Sequence, residues 1–146
     1  MPTLSRCFLR GGFLCLALGL LPGGIILLQK GTGWLPFAWV LLPAHTYLVL
    51  IGGISQCTLG VCYWSFPRFG GGTCRGNTTL AWFSYATLNA ALGLVVFHLP
   101  IQVCCGAIAA NLAFAGAGIL QSLAALAFVL HIWPRIRASA PTPRRL

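Results

Sequence analysis

His45, His98 and His131 are the side chains best suited to chemistry in this chain, which contains no Asp or Glu. A neutral imidazole buried among apolar groups ligates haem iron or copper. Its blander use is a hydrogen bond to a main-chain carbonyl or to interfacial water. With no carboxylate, and no Ser placed beside a His as nucleophile and base, acid–base and covalent catalysis are disfavoured. The chain is therefore not expected to be an enzyme on its own. The seven cysteines do not read as a disulfide framework. Cys57, Cys62 and Cys74 match no zinc-ligand spacing, and the cysteines read as small apolar filler.

The composition dictates what must surround these residues. Of 146 residues, 58% are hydrophobic and only 6% are charged, with a mean hydropathy of +0.89. A soluble domain covers itself with about a quarter charged residues; this chain cannot, so lipid must be its main solvent. The net charge of +9 is confined to particular stretches. Arg6 and Arg10 precede the first apolar run, Arg68 and Arg75 lie in a middle loop, and Arg135, Arg137, Arg144 and Arg145 close the chain, while Lys30 stands alone. That is the positive-inside pattern, with anionic lipid headgroups as the matching partner. No basic stripe with interleaved aromatics occurs, so nucleic acid is not expected.

Four apolar runs predict helices over 11–28, 39–66, 79–99 and 103–133, each offering the roughly 20 apolar residues that cross a hydrocarbon core. Gly31, Gly33 and Pro36, then Pro67, Gly70, Gly71 and Gly72, then Pro100, then Pro134 separate them. The first run is built like a signal peptide but has no small-x-small cleavage site, and reads as a retained helix. Trp34, Phe37 and Trp39 at one boundary and Tyr63, Trp64, Trp82 and Trp133 at the other form aromatic belts. The expected architecture is all-α: an integral membrane four-helix bundle, multi-pass in the cytoplasmic (inner) membrane, with both termini cytoplasmic. Its transmembrane domain is expected over 1–133 and a basic, disordered cytoplasmic tail over 134–146.

Helical phase places His45, Gly52, Gln56 and Tyr63 within about 20° of one line, a face that should point into the bundle. Gly52 leaves room beside the imidazole for a flat group such as a porphyrin, or for another helix. On the third run Thr78, Tyr85 and Asn89 share a stripe, with His98 nearly opposite. On the fourth, Cys104, Ala107, Asn111, Ala115, Gly118, Ser122 and Ala125 share a small-residue face, which places Ala115 and Gly118 at a close helix contact. Asn89 and Asn111 are expected to reach each other across the interior.

The stretch His45-Thr-Tyr-Leu-Val-Leu-Ile-Gly52, followed by Gly60, Tyr63 and Phe66-Pro67-Arg68, resembles the second helix of haem–copper oxidase subunit I, in the nitric-oxide-reductase and C-type oxidase branch. It is also similar to short four-helix membrane proteins that carry this segment. The resemblance implies haem b with His45 as iron ligand, and electron transfer or haem handling as the activity. His98, or His45 of another copy in a homodimer, would supply the second axial position. Tyr47 stands where relatives often have a second His, and no further ligand motif is present, so oxygen or nitric-oxide reduction is not implied. The alternative is a non-catalytic membrane subunit or assembly partner in a larger complex, without cofactor. A transporter or channel is disfavoured by the lack of any intramembrane carboxylate.

Overall fold

The computed structural model describes residues 1–68 and 75–137. Over these the chain is all-helical, and four of its helices are long and apolar enough to cross a membrane. They are α1 (Thr3–Thr32), α2 (Pro36–Ser65), α3 (Thr78–Val96) and α5 (Ala107–Arg137); the short α4 (His98–Cys105) joins the last two. α2 changes geometry along its length. A 3-10 turn Pro36–Leu41 leads into an α segment Leu42–Thr46, a π-helical stretch Tyr47–Ser55 and an α-helix Gln56–Ser65. In the wide π turns the Ser55 hydroxyl donates to Leu50 O at 2.9 Å.

Boundaries differ from the apolar runs for identifiable reasons. α1 begins at Thr3, so Arg6 and Arg10 are helical rather than flanking. The expected outer turn before 103 is itself helical, as α4, and ends at Gly106 with φ 87°. α5 passes through Pro134 to Arg137, because a proline near a helix end removes a single hydrogen bond. Residues 134–137 of the expected tail are thus helical. The rest of that tail, 138–146, lies outside the described residues, as do Gly70, Gly71, Gly72 and Cys74.

α1 packs along α2, and α3 along α5; the π stretch of α2 joins the two pairs by meeting α3. Glycine permits the first pairing. A Cβ at Gly12 would overlap Cys57 Sγ and lie 3.2 Å from the main chain of α2, and one at Gly53 would overlap Leu16. Gly19 against Leu48 and Val49, and Gly60 against Phe8, repeat the contact along the interface. The larger core gathers where α2 and α5 end: Leu4, Phe8, Tyr63, Leu88, Phe128 and Ile132 are buried together. Phe8 meets Tyr85 edge-on at 5.0 Å between ring centroids.

The small-residue face of α5 is corrected. Ala110, Ala113, Ala117 and Ala124 are buried, whereas Asn111, Ala115, Gly118, Ser122 and Ala125 are exposed. The buried face wins because Phe128, His131, Ile132 and Arg135 extend it; the expected face has no such continuation. Asn111 therefore does not reach Asn89.

These contacts fix the sign of several substitutions. Gly12→Ala should lower stability by about 1–3 kcal/mol through overpacking. Gly24→Ala and Gly118→Ala, whose added Cβ would meet nothing within 4 Å, should be neutral or gain up to about 1 kcal/mol from helix propensity. Thermal unfolding of the purified variants in detergent checks the contrast; a Gly118→Ala variant as unstable as Gly12→Ala would contradict the packing.

Candidate functional site

The densest polar constellation lies at the end of α2. Pro67 has no N–H to give to Tyr63 O, the carbonyl it would otherwise satisfy in a continuing helix. Side chains take over. Arg135, fully buried, donates from Nη1 and Nη2 to Tyr63 O at 3.3 and 3.2 Å, from Nε to Pro67 O at 3.0 Å, and from Nη2 to Phe66 O. Arg75 Nη1 donates to the same Tyr63 O at 3.3 Å. Both guanidinium carbons stand 5.7 Å from the centre of the Tyr63 ring.

His131 stacks on that ring, with centroids 5.3 Å apart and planes at 23°. Its Nδ1 bonds Asn77 O at 2.8 Å, and Asn77 Oδ1 accepts from Thr79 N at 3.0 Å to cap α3. The His131 Nε2 is buried with no hydrogen-bond partner among the described residues. One unit of Tyr63, His131, Arg75 and Arg135 thus ties the ends of α2 and α5 to the start of α3.

Deeper in the bundle Gln56 is fully buried. Its Nε2 donates to Asn89 Oδ1 across 3.4 Å, a long bond, and its Oε1 has no partner among the described residues. Asn89 returns its own amide to Tyr85 O at 2.8 Å.

The residues singled out from the sequence occupy the other end. His45 is half-buried, and its Nδ1 bonds Gly19 O of α1 at 2.8 Å. A carbonyl only accepts, so Nδ1 carries a proton, and in the neutral ring Nε2 keeps its lone pair. Gly23 makes room for the ring: a Cβ there would lie 2.5 Å from Cε1 and 2.7 Å from Nδ1. Beside it an open groove of about 370 Å³ is lined by Leu20, Gly23, Gly24, Ile26, Leu27 and Leu42. Gly52 is buried, and the room expected beside it is filled by α1 and α3. A Cβ there would stand 2.8 Å from Cys15 Cβ and 3.3 Å from Leu92. His98 is buried, with Nδ1 bonded to Val95 O at 2.7 Å and its ring 4.9 Å from that of Phe114. Among the described residues no group of three or more His, Cys, Asp or Glu could hold a metal. Cys7, Cys15, Cys57, Cys62, Cys104 and Cys105 are free thiols.

Comparison with known proteins returns no match among family models, curated proteins or solved structures.

Sequence reasoning assigned Tyr63 to the belt and Arg135 to the tail, and did not bring His131 to them. The signal that joins them is helical phase: Ala124, Phe128, His131 and Arg135 follow one another at three- and four-residue steps, so the stripe continues past Pro134. Arg135→Met should cost about 2–4 kcal/mol, since several main-chain carbonyls lose a charged donor. Gln56→Met, which removes a weak bond together with an unsatisfied oxygen, should stay within about 1 kcal/mol of the natural protein. Unfolding midpoints in detergent rank the two; equal losses would mean that the guanidinium is not the clamp.

Proposed function

We propose that this chain is a multi-pass membrane protein whose polar side chains brace its helices, acting as a non-catalytic membrane subunit or assembly partner. The observation that carries this reading is the use of its imidazoles. His45, His98 and His131 each bond a main-chain carbonyl through Nδ1. Two of these bonds, to Gly19 and Asn77, join separate parts of the fold, and that is a strut's work. A subunit must also present a face to its neighbours. Exposed Asn111, Ala115, Gly118 and Ser122 on α5 suit the close approach of a helix in lipid.

Haem b held by His45 is the second reading. It is favoured by the tautomer: a histidine whose Nδ1 proton goes to a carbonyl presents Nε2 as an iron-ligating lone pair. The porphyrin room beside Gly52 is what the packing denies it, since Cys15 and Leu92 fill that face. The residues here do not fit a porphyrin seated against that side of α2.

Spectra separate the two readings. The protein expressed with added haem should purify colourless, and His45→Ala should unfold more readily by about 1 kcal/mol, the net worth of a hydrogen bond. A Soret band present in the natural protein and absent from His45→Ala would overturn the structural reading in favour of haem. For orientation, a reporter fused after Gly31 should act only outside the cytoplasm and one at the carboxyl end only inside it, following the arginine distribution; cytoplasmic activity at Gly31 would reverse the topology.

A further inference from the structure

Two arginines bond the turn of chain at the end of α2, and a third is part of it. Arg135 bonds the carbonyls of Tyr63, Phe66 and Pro67; Arg75 bonds that of Tyr63; Arg68 follows Pro67 directly. The sequence has no Asp or Glu anywhere to balance them. Helix ends do not balance them either: α2 and α5 end here with about half an elementary negative charge each, while α1 and α3 begin here with about half a positive charge each, so the two contributions cancel. The three guanidinium charges stay uncompensated within reach of a low-dielectric interior, where like charges repel strongly.

The same turn borders an open groove of about 650 Å³ lined by Trp64, Ser65, Phe66, Pro67 and Arg68. Ser65 and Arg68 are exposed there, and neither makes a hydrogen bond to the described residues. Arg75, half-buried, gives Tyr63 O one of the five donors of its guanidinium. An exposed guanidinium and a serine hydroxyl lining an open groove, with the part-used guanidinium of Arg75 on the same turn, are the chemistry that receives a phosphate group.

We propose that the end of α2 is a phosphate-binding site, in which Arg68 and Arg75 ligate the anion, the Ser65 hydroxyl donates to it, and Arg135 holds the turn in place from beneath. The phosphate comes from an anionic lipid headgroup or from free phosphate; only the first source depends on the membrane reading above. The site differs from general attraction between basic residues and a charged surface. That attraction would be weakened equally by removing any two arginines at this end of the bundle, whereas a site is specific to Arg68 and Arg75.

The test uses the full chain in a neutral detergent. Short-chain phosphatidylglycerol, short-chain phosphatidylcholine and inorganic phosphate are titrated separately, with bound adducts counted by native mass spectrometry and the unfolding midpoint followed in parallel. Phosphatidylglycerol, and not phosphatidylcholine, should be retained and should raise the midpoint. Arg68→Gln, an exposed position that leaves the fold unchanged, should weaken retention about tenfold, as expected for the loss of a charge-assisted contact. The double variant Arg68→Gln/Arg75→Gln should abolish it. Arg6→Gln/Arg10→Gln, which removes the same charge from exposed positions on α1, should retain most of the binding. If inorganic phosphate competes with the lipid and raises the midpoint alone, the phosphate group itself is the ligand; if the lipid alone acts, the headgroup in its membrane setting is. Absence of selective retention, or equal loss in the Arg6/Arg10 and Arg68/Arg75 variants, would refute the site and leave the haem and subunit readings untouched.

Discussion

Main-chain carbonyls carry the electrostatics of this fold. A chain without Asp or Glu still has buried donors, and apart from Gln56, which reaches Asn89 Oδ1, the buried side-chain donors described above end on peptide oxygens. Ser5 Oγ donates to Gly60 O at 2.7 Å and Ser84 Oγ to Ala124 O at 2.7 Å; His45 reaches Gly19 O, His131 reaches Asn77 O, and Arg135 reaches the carbonyls that end α2. A helical carbonyl already accepts one bond along the helix and has a second lone pair to offer. Using it costs no extra buried charge, which a carboxylate in so apolar an interior would. Each bond also specifies which turn of one helix faces which turn of another. Apolar packing alone leaves that register loose when the surroundings are as apolar as the interior.

Such bonds require the helices to come close, and glycine provides the approach. Gly12, Gly19, Gly53 and Gly60 sit where a Cβ would strike the opposing helix, and the same interface holds the His45 and Ser5 bonds. The two features depend on each other. Ser5 has a short side chain and reaches Gly60 O only because the backbone there carries no Cβ to hold Phe8 away. The Gly23 position does the same for the ring of His45. An alanine would gain helix propensity at any of these sites and lose the cross-helix bond that gives the site its purpose.

Much of this was legible in the sequence. The apolar runs marked all four long helices, and the phase of α2 marked its inner face: Gly52, Gln56 and Tyr63 are buried and His45 is half-buried. Even the choice left open beside Gly52, a flat group or another helix, has a physical answer in Cys15 of α1. Two things were not legible. Periodicity treats Pro134 as a stop, although a proline removes one hydrogen bond and leaves a helix near its end free to continue; Arg135 was thereby lost from the interior. Periodicity also cannot choose between two adjacent small-residue faces on α5. Ala110, Ala113 and Ala117 differ from Asn111, Ala115 and Gly118 by about one residue of rotation, and the choice is made by what lies further along the helix.

The polar residues are held more tightly at one end of the bundle than at the other, and this asymmetry bears on what His45 can do. Around Tyr63 the aromatic core, the stacked His131 and the guanidinium of Arg135 leave little freedom. Around His45 there is an apolar groove with Gly23 and Gly24 on one wall. A ring held there by a single hydrogen bond of about 1 kcal/mol is positioned but not locked. Its lone pair at Nε2 is a by-product of how Nδ1 is spent, and would exist in a purely structural strut as well. The tautomer alone therefore does not distinguish a ligand from a brace. What distinguishes them is the other wall: a porphyrin on the Gly52 side needs Cys15 and Leu92 to move apart, and so needs α1 to leave the glycine contacts that hold it to α2. That cost falls on the same interface that builds the fold, which is why the brace is the reading the packing favours.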